Sequence, residues 1–391
     1  MSSGLRVAII GAGVIGLSVG WRLAKAGCSV DVYDKASAGR GASWAAAGML
    51  AASAEAVAGA EAVFELGRRS QELWPRYVAE LEAVAGFAID YRTQGTLIPA
   101  FGPAQLDRLH QTFGQQQSLG APVHWLSGAE ARAREPSLSD QVCGAIFAPE
   151  DVQVDNRKFV AAVKFALLAA GGRLHEHQPV TAVVITDRHV SQLVLGARQV
   201  AADLVILAAG LGSEDIIING LPDIPMIPVK GEMLAFGGSA TRPLLHHVVR
   251  APGAYLVPRN DASVILGATL VVGRTDEAMT ASGVTSLLMA AQAAVPAIAD
   301  YAVKDMWTGV RPGTPDDLPI LGPCGISGLI LATGHYRNGI LWAPITAALL
   351  TQLIVEGRQD RLLDPFALQR FADQTGKTGA EPPGSAARGA S

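Results

Sequence analysis

Leu5-Arg6-Val7-Ala8-Ile9-Ile10-Gly11-Ala12-Gly13-Val14-Ile15-Gly16 lies close to the N-terminus, and its reading decides the fold. Residues 5–10 are a short β-branched apolar run ended by glycine, the mark of a buried strand. Residues 14–25 read as a helix stopped by Gly27, and residues 29–33 as a second strand. Strand, glycine turn, helix and strand make a β-α-β unit, the seed of a parallel doubly wound sheet. The glycines stand in G-x-G-x-x-G spacing. Gly11 permits the tight turn, Gly13 lets the backbone approach a pyrophosphate, and Gly16 lets helix and strand pack closely. The helix N-terminus offers free N–H groups and partial positive charge to phosphates. Asp34 ends the second strand, placed to accept hydrogen bonds from ribose hydroxyls. Together these features predict a dinucleotide site.

Residues 7–21 carry no charge and resemble a signal peptide or membrane span. The run is too short to span a bilayer, Arg22 and Lys25 follow it, and its glycine spacing explains its apolarity better. A soluble, cytoplasmic protein is expected, with no membrane partner. A net charge of −4 gives no reason to expect a nucleic-acid partner. Cys28, Cys143 and Cys324 are scattered, form no C-x-x-C, and read as buried small hydrophobes in a reducing compartment. No metal site is expected.

The glycine motif suits FAD or NAD equally. The next stretch, Arg40-Gly41-Ala42-Ser43-Trp44-Ala45-Ala46-Ala47-Gly48-Met49, favours a flavin. It is small and nearly uncharged, so its backbone can lie against a flat ring and donate N–H groups.

Farther on, residues 61–85 have helical spacing, with Phe64, Leu66, Leu73, Tyr77, Leu81 and Val84 as the expected core face. Residues 156–170 read as a further helix, and 180–186 and 203–207 as strands. Residues 229–269 alternate and are strand-rich, which predicts a separate, largely antiparallel sheet. Residues 329–333 return as a buried strand, followed by a long apolar helix over 340–355. The expected class is α/β: a Rossmann-type FAD-binding domain plus an α+β substrate domain with a mostly antiparallel sheet. Residues 1–88, 142–220 and 312–372 are assigned to the first, 89–141 and 221–311 to the second, and 373–391 to a disordered tail.

These residues resemble the D-amino-acid oxidase superfamily of flavoproteins, and within it the glycine oxidase branch, over nearly the whole chain. The most specific pieces are Ser43 to Leu50, Val229-Lys230-Gly231-Glu232, Thr308-Gly309-Val310-Arg311-Pro312-Gly313-Thr314, and Gly334-His335-Tyr336-Arg337-Asn338-Gly339-Ile340-Leu341. The resemblance implies that Val14, Ile15, Asp34, Lys35, Ala42, Ser43, Ala47, Gly48, Met49 and Val180 touch FAD, with His335, Tyr336, Arg337, Asn338, Gly339, Ile340 and Leu341. It implies that Arg311, Arg337 and Tyr255 bind the substrate, Arg311 and Arg337 at its carboxylate. Members with a histidine shortly before the tyrosine show Gly253 and Ala254 here, and Leu270 replaces a methionine. Sarcosine oxidases tether flavin through a cysteine about where Gly309 falls, so non-covalent FAD is expected.

The chemistry needs little from side chains. A neutral amine can release a hydride from Cα to the flavin, and the protein supplies binding, orientation and field. No catalytic side chain is therefore expected. Arg311 can clamp a carboxylate through two parallel N–H bonds, or pair with Asp316 or Asp317. Adjacent His246 and His247 would point to opposite faces of a strand and make a poor joint ligand set. The helix after Gly334 could stabilise charge at the flavin's pyrimidine end. The resemblance implies oxidative deamination of glycine, sarcosine and small D-amino acids to a 2-oxo acid. In that branch O2 becomes H2O2, and the imine can feed thiamine thiazole synthesis. A flavin dehydrogenase using another acceptor is the alternative, and self-association into a homo-oligomer is left open.

Overall fold

Strand Arg6–Ile10, helix Val14–Lys25 and strand Ser29–Tyr33 form the opening β-α-β unit in this computed structural model, which describes residues 4–56, 59–238 and 243–374. Gly11 has φ +107°, and a Cβ there would lie 2.4 Å from the Ala208 carbonyl oxygen. Only glycine lets the strand turn into the helix so close to a neighbouring strand. A Cβ on Gly16 would lie 1.9 Å from the Gly11 oxygen, so the third glycine sets how tightly the helix sits on the turn.

The unit extends into a six-stranded sheet ordered Ile320–Pro323, Leu329–Thr333, Leu204–Leu207, Arg6–Ile10, Ser29–Tyr33, Arg173–His175. All neighbours are parallel except the first pair, which is antiparallel. The sheet thus draws on three separated stretches of chain. Helices Val14–Lys25, Glu61–Ala85, Asn156–Ala169 and Gly339–Glu356 share one apolar core with it, built around Trp21, Trp74, Phe159 and Trp342.

The Glu61–Ala85 helix ends at Gly86, whose left-handed φ of +78° lets its N–H reach the Glu82 carbonyl. Its buried face differs at one end from the expected one. Val84 is 39% exposed, while Trp74 and Val78 are buried beside Tyr77 and Leu81. The last turn of the helix runs past the core it packs on. Gly339–Glu356 is long and apolar enough to cross a membrane by length and composition, yet more than half of it is buried within this fold.

The second large sheet has nine strands. Ile227–Phe236 pairs along its whole length with Val303–Gly313, antiparallel. Val271–Val272 and Val264–Gly267 pair with its other side, and Ala254–Pro258, Val248–Ala251, Thr96–Phe101, Val142–Ala148 and His124–Ser127 follow. The pairings are antiparallel except Val248–Ala251 with Thr96–Phe101. Val142–Ala148 belongs to this sheet, whereas the expected boundary at residue 142 placed it with the nucleotide-binding region. It pairs with Thr96–Phe101 on one side and with His124–Ser127 on the other. A smaller sheet holds Ala182–Thr186, His189–Leu195, Arg198–Ala201 and Ile217–Ile218.

Cys28 and Cys324 are buried, but Cys143 is exposed, at the point where the pairing of Val142–Ala148 with Thr96–Phe101 shifts register and skips it. His246 and His247 precede the Val248–Ala251 strand rather than lying in it. Glu135 accepts both of their backbone N–H groups at 2.9 Å and faces His247 Nδ1 at 3.0 Å. Among the described residues no group of three or more His, Cys, Asp or Glu is placed to hold a metal ion. Most of the expected tail, residues 375–391, lies outside the described residues.

Candidate active site

A cavity of about 640 Å³ runs between the two large sheets, from the glycine turn after Arg6–Ile10 to the inner face of the nine-stranded sheet. Two helix N-termini open onto it. Gly13 caps Val14–Lys25 and Asn338 caps Gly339–Glu356, and neither cap residue makes a side-chain hydrogen bond to its helix. Val14 N is taken by Ser43 Oγ, but the following first-turn N–H groups and the positive dipole ends are available to anionic or acceptor groups of a ligand.

At the first end, a Cβ on Gly13 would meet only Ser43 Oγ, at 3.4 Å. Protein does not crowd this position; the space above it is cavity, as a closely approaching pyrophosphate requires. Asp34 accepts from Ala12 N at 2.7 Å and from Ala36 N at 2.8 Å. These bonds hold the carboxylate at the cavity edge, and its remaining lone pairs can take ribose hydroxyls. Lys35 is exposed and lies 3.9 Å from Asp215.

The segment from Arg40 to Met49 forms the middle of the wall and is fixed from behind. Ser43 Oγ accepts from Val14 N at 2.9 Å. Asn156 Nδ2 donates to the Ser43 and Trp44 carbonyls, and buried Arg259 donates to the Ala47 and Val154 carbonyls. The Arg157 guanidinium stacks over Trp44 at 3.7 Å, and Trp307 Nε1 donates to Ala45 O at 3.0 Å. Apart from Ser43, these supports, Asn156, Arg157, Arg259 and Trp307, are spread across the chain, and no local motif marked them.

At the far end, Tyr255, Met233 and Arg311 gather on the second sheet. Tyr255 pairs in register with Gly267, and its hydroxyl reaches Met233 Sδ at 3.3 Å. Enclosure pushes the Tyr255 hydroxyl pKa up, and the nearby Arg311 charge opposes this. Arg311 extends from Val303–Gly313 and lies flat on Gly231. A Cβ there would sit 2.7, 2.8 and 2.9 Å from its Nη2, Nη1 and Cζ. Arg311 Nη1 donates to the Thr269 carbonyl at 3.3 Å. Asp316, an alternative partner from sequence, is instead 2.7 Å from Arg370. Buried Lys230 and Glu232 bracket Gly231 and tie down the loop that closes this end. Lys230 Nζ pairs with Asp276 at 2.8 Å, and Glu232 accepts from Thr280 N at 2.7 Å.

Arg337 stacks over Tyr336 at 4.8 Å and lies 3.9 Å from Glu55. Burial works against its charge, but Glu55 and Tyr336 more than offset this, and its pKa is raised. Buried His335 meets Thr346 Oγ1 at 3.2 Å, and burial lowers its pKa to about 3, so it stays neutral. Glu55 and Arg250 line the same end, and no motif in the sequence singled them out. Asp151 accepts from Ser53 N at 2.9 Å and Ala54 N at 2.6 Å, which places Glu55.

Nearly all the residues singled out from sequence meet around this one cavity; Gly16, Val180 and Leu341 do not line it. Gly16 lies under the turn. Val180 is buried in a cluster with Ile10, Tyr33 and Leu207. Leu341 is buried, and its carbonyl accepts from Trp74 Nε1 at 3.0 Å.

The cavity fits FAD in its open glycine turn, its neutral wall and the two helix N-termini that open onto it. Comparison with known proteins points the same way. The signature of the FAD dependent oxidoreductase family matches residues 6–353. Glycine oxidase of Geobacillus kaustophilus is 35% identical over 379 residues, covering 96% of this chain and 98% of that protein. Its crystal structure superposes with a TM-score of 0.88, covering 94% of this chain and 99% of that one. A bifunctional protein ThiO/ThiG of Trichormus variabilis is 35% identical over 377 residues. That match covers 95% of this chain but 56% of the relative, so this chain spans about half of that protein's length.

Proposed function

This chain belongs to the family of FAD dependent oxidoreductases, and on that premise we propose that it oxidises glycine and other small amino acids, including sarcosine and small D-amino acids. Bound non-covalently, FAD would take a hydride from Cα and pass its two electrons to O2, giving H2O2, and water would hydrolyse the resulting imine to a 2-oxo acid and ammonia, or methylamine from sarcosine.

The observation that carries this reading is Arg311. Its guanidinium is laid on Gly231 beside the Tyr255 hydroxyl, at the opposite end of the cavity from the glycine turn. In this role the planar fork takes the substrate carboxylate through two parallel bonds. Tyr255 borders the same position and narrows the orientations open to Cα. The N-terminus of Gly339–Glu356 and the Arg337 charge favour negative charge developing nearby. His335 is neutral and occupied with Thr346, so it neither holds nor moves a proton in this scheme.

A Cβ on Gly309 would lie 2.3 Å from Ala45 Cβ, which leaves no room for a tethering cysteine and supports non-covalent FAD. The ThiO/ThiG relative supports delivery of the imine to thiamine thiazole synthesis. We place the reaction in the cytoplasm.

Anaerobic flavin bleaching by glycine, sarcosine, D-amino acids and L-amino acids tests the reading. Glycine and small D-amino acids should bleach the flavin, and bulky L-amino acids should not. Oxygen uptake matched to substrate consumed separates an oxidase from a dehydrogenase with another acceptor.

A further inference from the structure

Arg311 accounts for one carboxylate and leaves a second guanidinium at the same end of the cavity without a task. Arg250 stands opposite Tyr255 in the hairpin of Val248–Ala251 and Ala254–Pro258, so the two side chains share one face of the sheet. Both Arg250 and Arg311 act electrostatically on the Tyr255 hydroxyl. Arg250 Nη1 is enclosed by protein and has no hydrogen-bond partner. Its carboxylate neighbour, Glu55 Oε1, is 3.6 Å away, beyond hydrogen-bond length, and Glu55 is shared with Arg337 at 3.9 Å. Asp151, behind Glu55, is engaged with the Ser53 and Ala54 N–H groups. Glu277, also lining this end, is exposed.

Glu55 and Asp317 both act on Arg337, so Arg250 shares the carboxylate nearest to it with a second guanidinium, and that carboxylate makes no hydrogen bond to Arg250 Nη1. The wall beside Arg250 is built from Ala251, Gly253, Ala254 and Ala268, which leave space next to it. Nη1 itself is closed off by protein, so a ligand meets the remaining part of the guanidinium, whose side chain is 19% exposed and lines the cavity.

We infer that Arg250 forms a second anion subsite, and that the chain takes small amino acids carrying a carboxylate beyond the one Arg311 holds. The extra group sits on the Cα side chain, as in D-aspartate and D-glutamate, or on nitrogen, as in iminodiacetate. This inference rests on the amino-acid oxidation proposed above.

The test compares kcat/KM of the FAD-loaded chain for D-aspartate and D-glutamate against D-alanine, and for iminodiacetate against sarcosine. At least one dicarboxylate should exceed its monocarboxylate counterpart, and the pair that responds shows which bond carries the second group. Arg250→Met should lower that ratio by roughly 30-fold or more, and Arg250→Lys should recover part of it. A binding readout on the unmutated chain does not depend on the variant folding. Succinate should perturb the bound-flavin absorbance at lower concentration than propionate. Glycine turnover with slower dicarboxylates, and no tighter binding of succinate, overturns the subsite and leaves the oxidation standing. A ratio unchanged by Arg250→Met also overturns it. If no amino acid bleaches the flavin, the underlying oxidation reading fails as well.

Discussion

Replacing Gly231 by alanine displaces the proposed carboxylate clamp without altering any group that would touch the substrate. The new Cβ would stand 2.7–2.9 Å from three guanidinium atoms of Arg311. Ordinary heavy-atom contacts are about 3.5–4.0 Å, so the guanidinium must move by roughly 0.7–1 Å. It is the end of a flexible side chain, and an off-rotamer adjustment costs about 0.5–1.5 kcal/mol. The melting temperature should therefore change little. Function should respond more strongly, because a misplacement of about 1 Å can cost about a hundredfold in rate. We expect Gly231→Ala to lower kcat/KM for glycine by roughly 10- to 100-fold, with normal FAD content. Arg311→Met removes the clamp itself. Loss of a partner in a buried charge pair costs about 2–5 kcal/mol, and Arg311 is half-buried. A loss of about 2–4 kcal/mol corresponds to roughly 30- to 1,000-fold. The two changes should not multiply, since alanine at 231 has no guanidinium to displace once Arg311 is methionine. Oxygen uptake across glycine concentrations, the flavin-to-protein absorbance ratio and thermal unfolding supply the data. Wild-type kcat/KM in Gly231→Ala, or fully multiplicative losses in the double variant, would refute the clamp.

Asp34→Ala should weaken FAD binding by about 1.5–3 kcal/mol for each charge-assisted bond lost, leaving substrate preference alone; flavin fluorescence titration measures it, and an unchanged affinity would reduce Asp34 to a turn residue. Acid precipitation should release the yellow colour into the supernatant, because Gly309 cannot form a thioether and Ala45 crowds the position; colour held in the pellet would contradict this. Burial raises the Asp151 pKa from 3.8 to about 6, against the pull of the Ser53 and Ala54 N–H groups. Its protonated form is thus favoured in the fold, and its contribution is present below about pH 4 and lost as pH rises through about 6. The loss is at most about 3 kcal/mol, so the stability of Asp151→Asn relative to the unmutated chain should improve between pH 4 and 7. Equal slopes of melting temperature against pH in the two proteins would rule this out.

The local signals in this chain were strong where a segment meets its environment on its own. The helix over Val14–Lys25 and the strands on either side of it are short, apolar and punctuated by glycines, so burial on both faces is written into composition. The same holds for Leu329–Thr333 and the apolar helix after it. Val303–Gly313 was not legible as a strand. It lies at the sheet margin, Val303 and Met306 are exposed, and Gly309 and Pro312 interrupt its pattern. Its long pairing with Ile227–Phe236 is a tertiary fact, although the motif holding Arg311 was readable within it.

The sequence by itself carried a glycine turn with Asp34 that reads as a nucleotide site, and the resemblance of its motifs to a known family pointed to Arg311, Tyr255 and Arg337. Those motifs depend on residue type and short spacing, which survive without coordinates. Only the tertiary structure decided what surrounds them. It laid Arg311 on Gly231, 80 positions away, through strand register. It set Glu55 between Arg250 and Arg337, which come from three distant parts of the chain. It also turned Val180 and Leu341 into the core, away from the cavity. A guanidinium's partners are chosen by distances of a few ångströms across strands, and such distances have no counterpart in sequence separation.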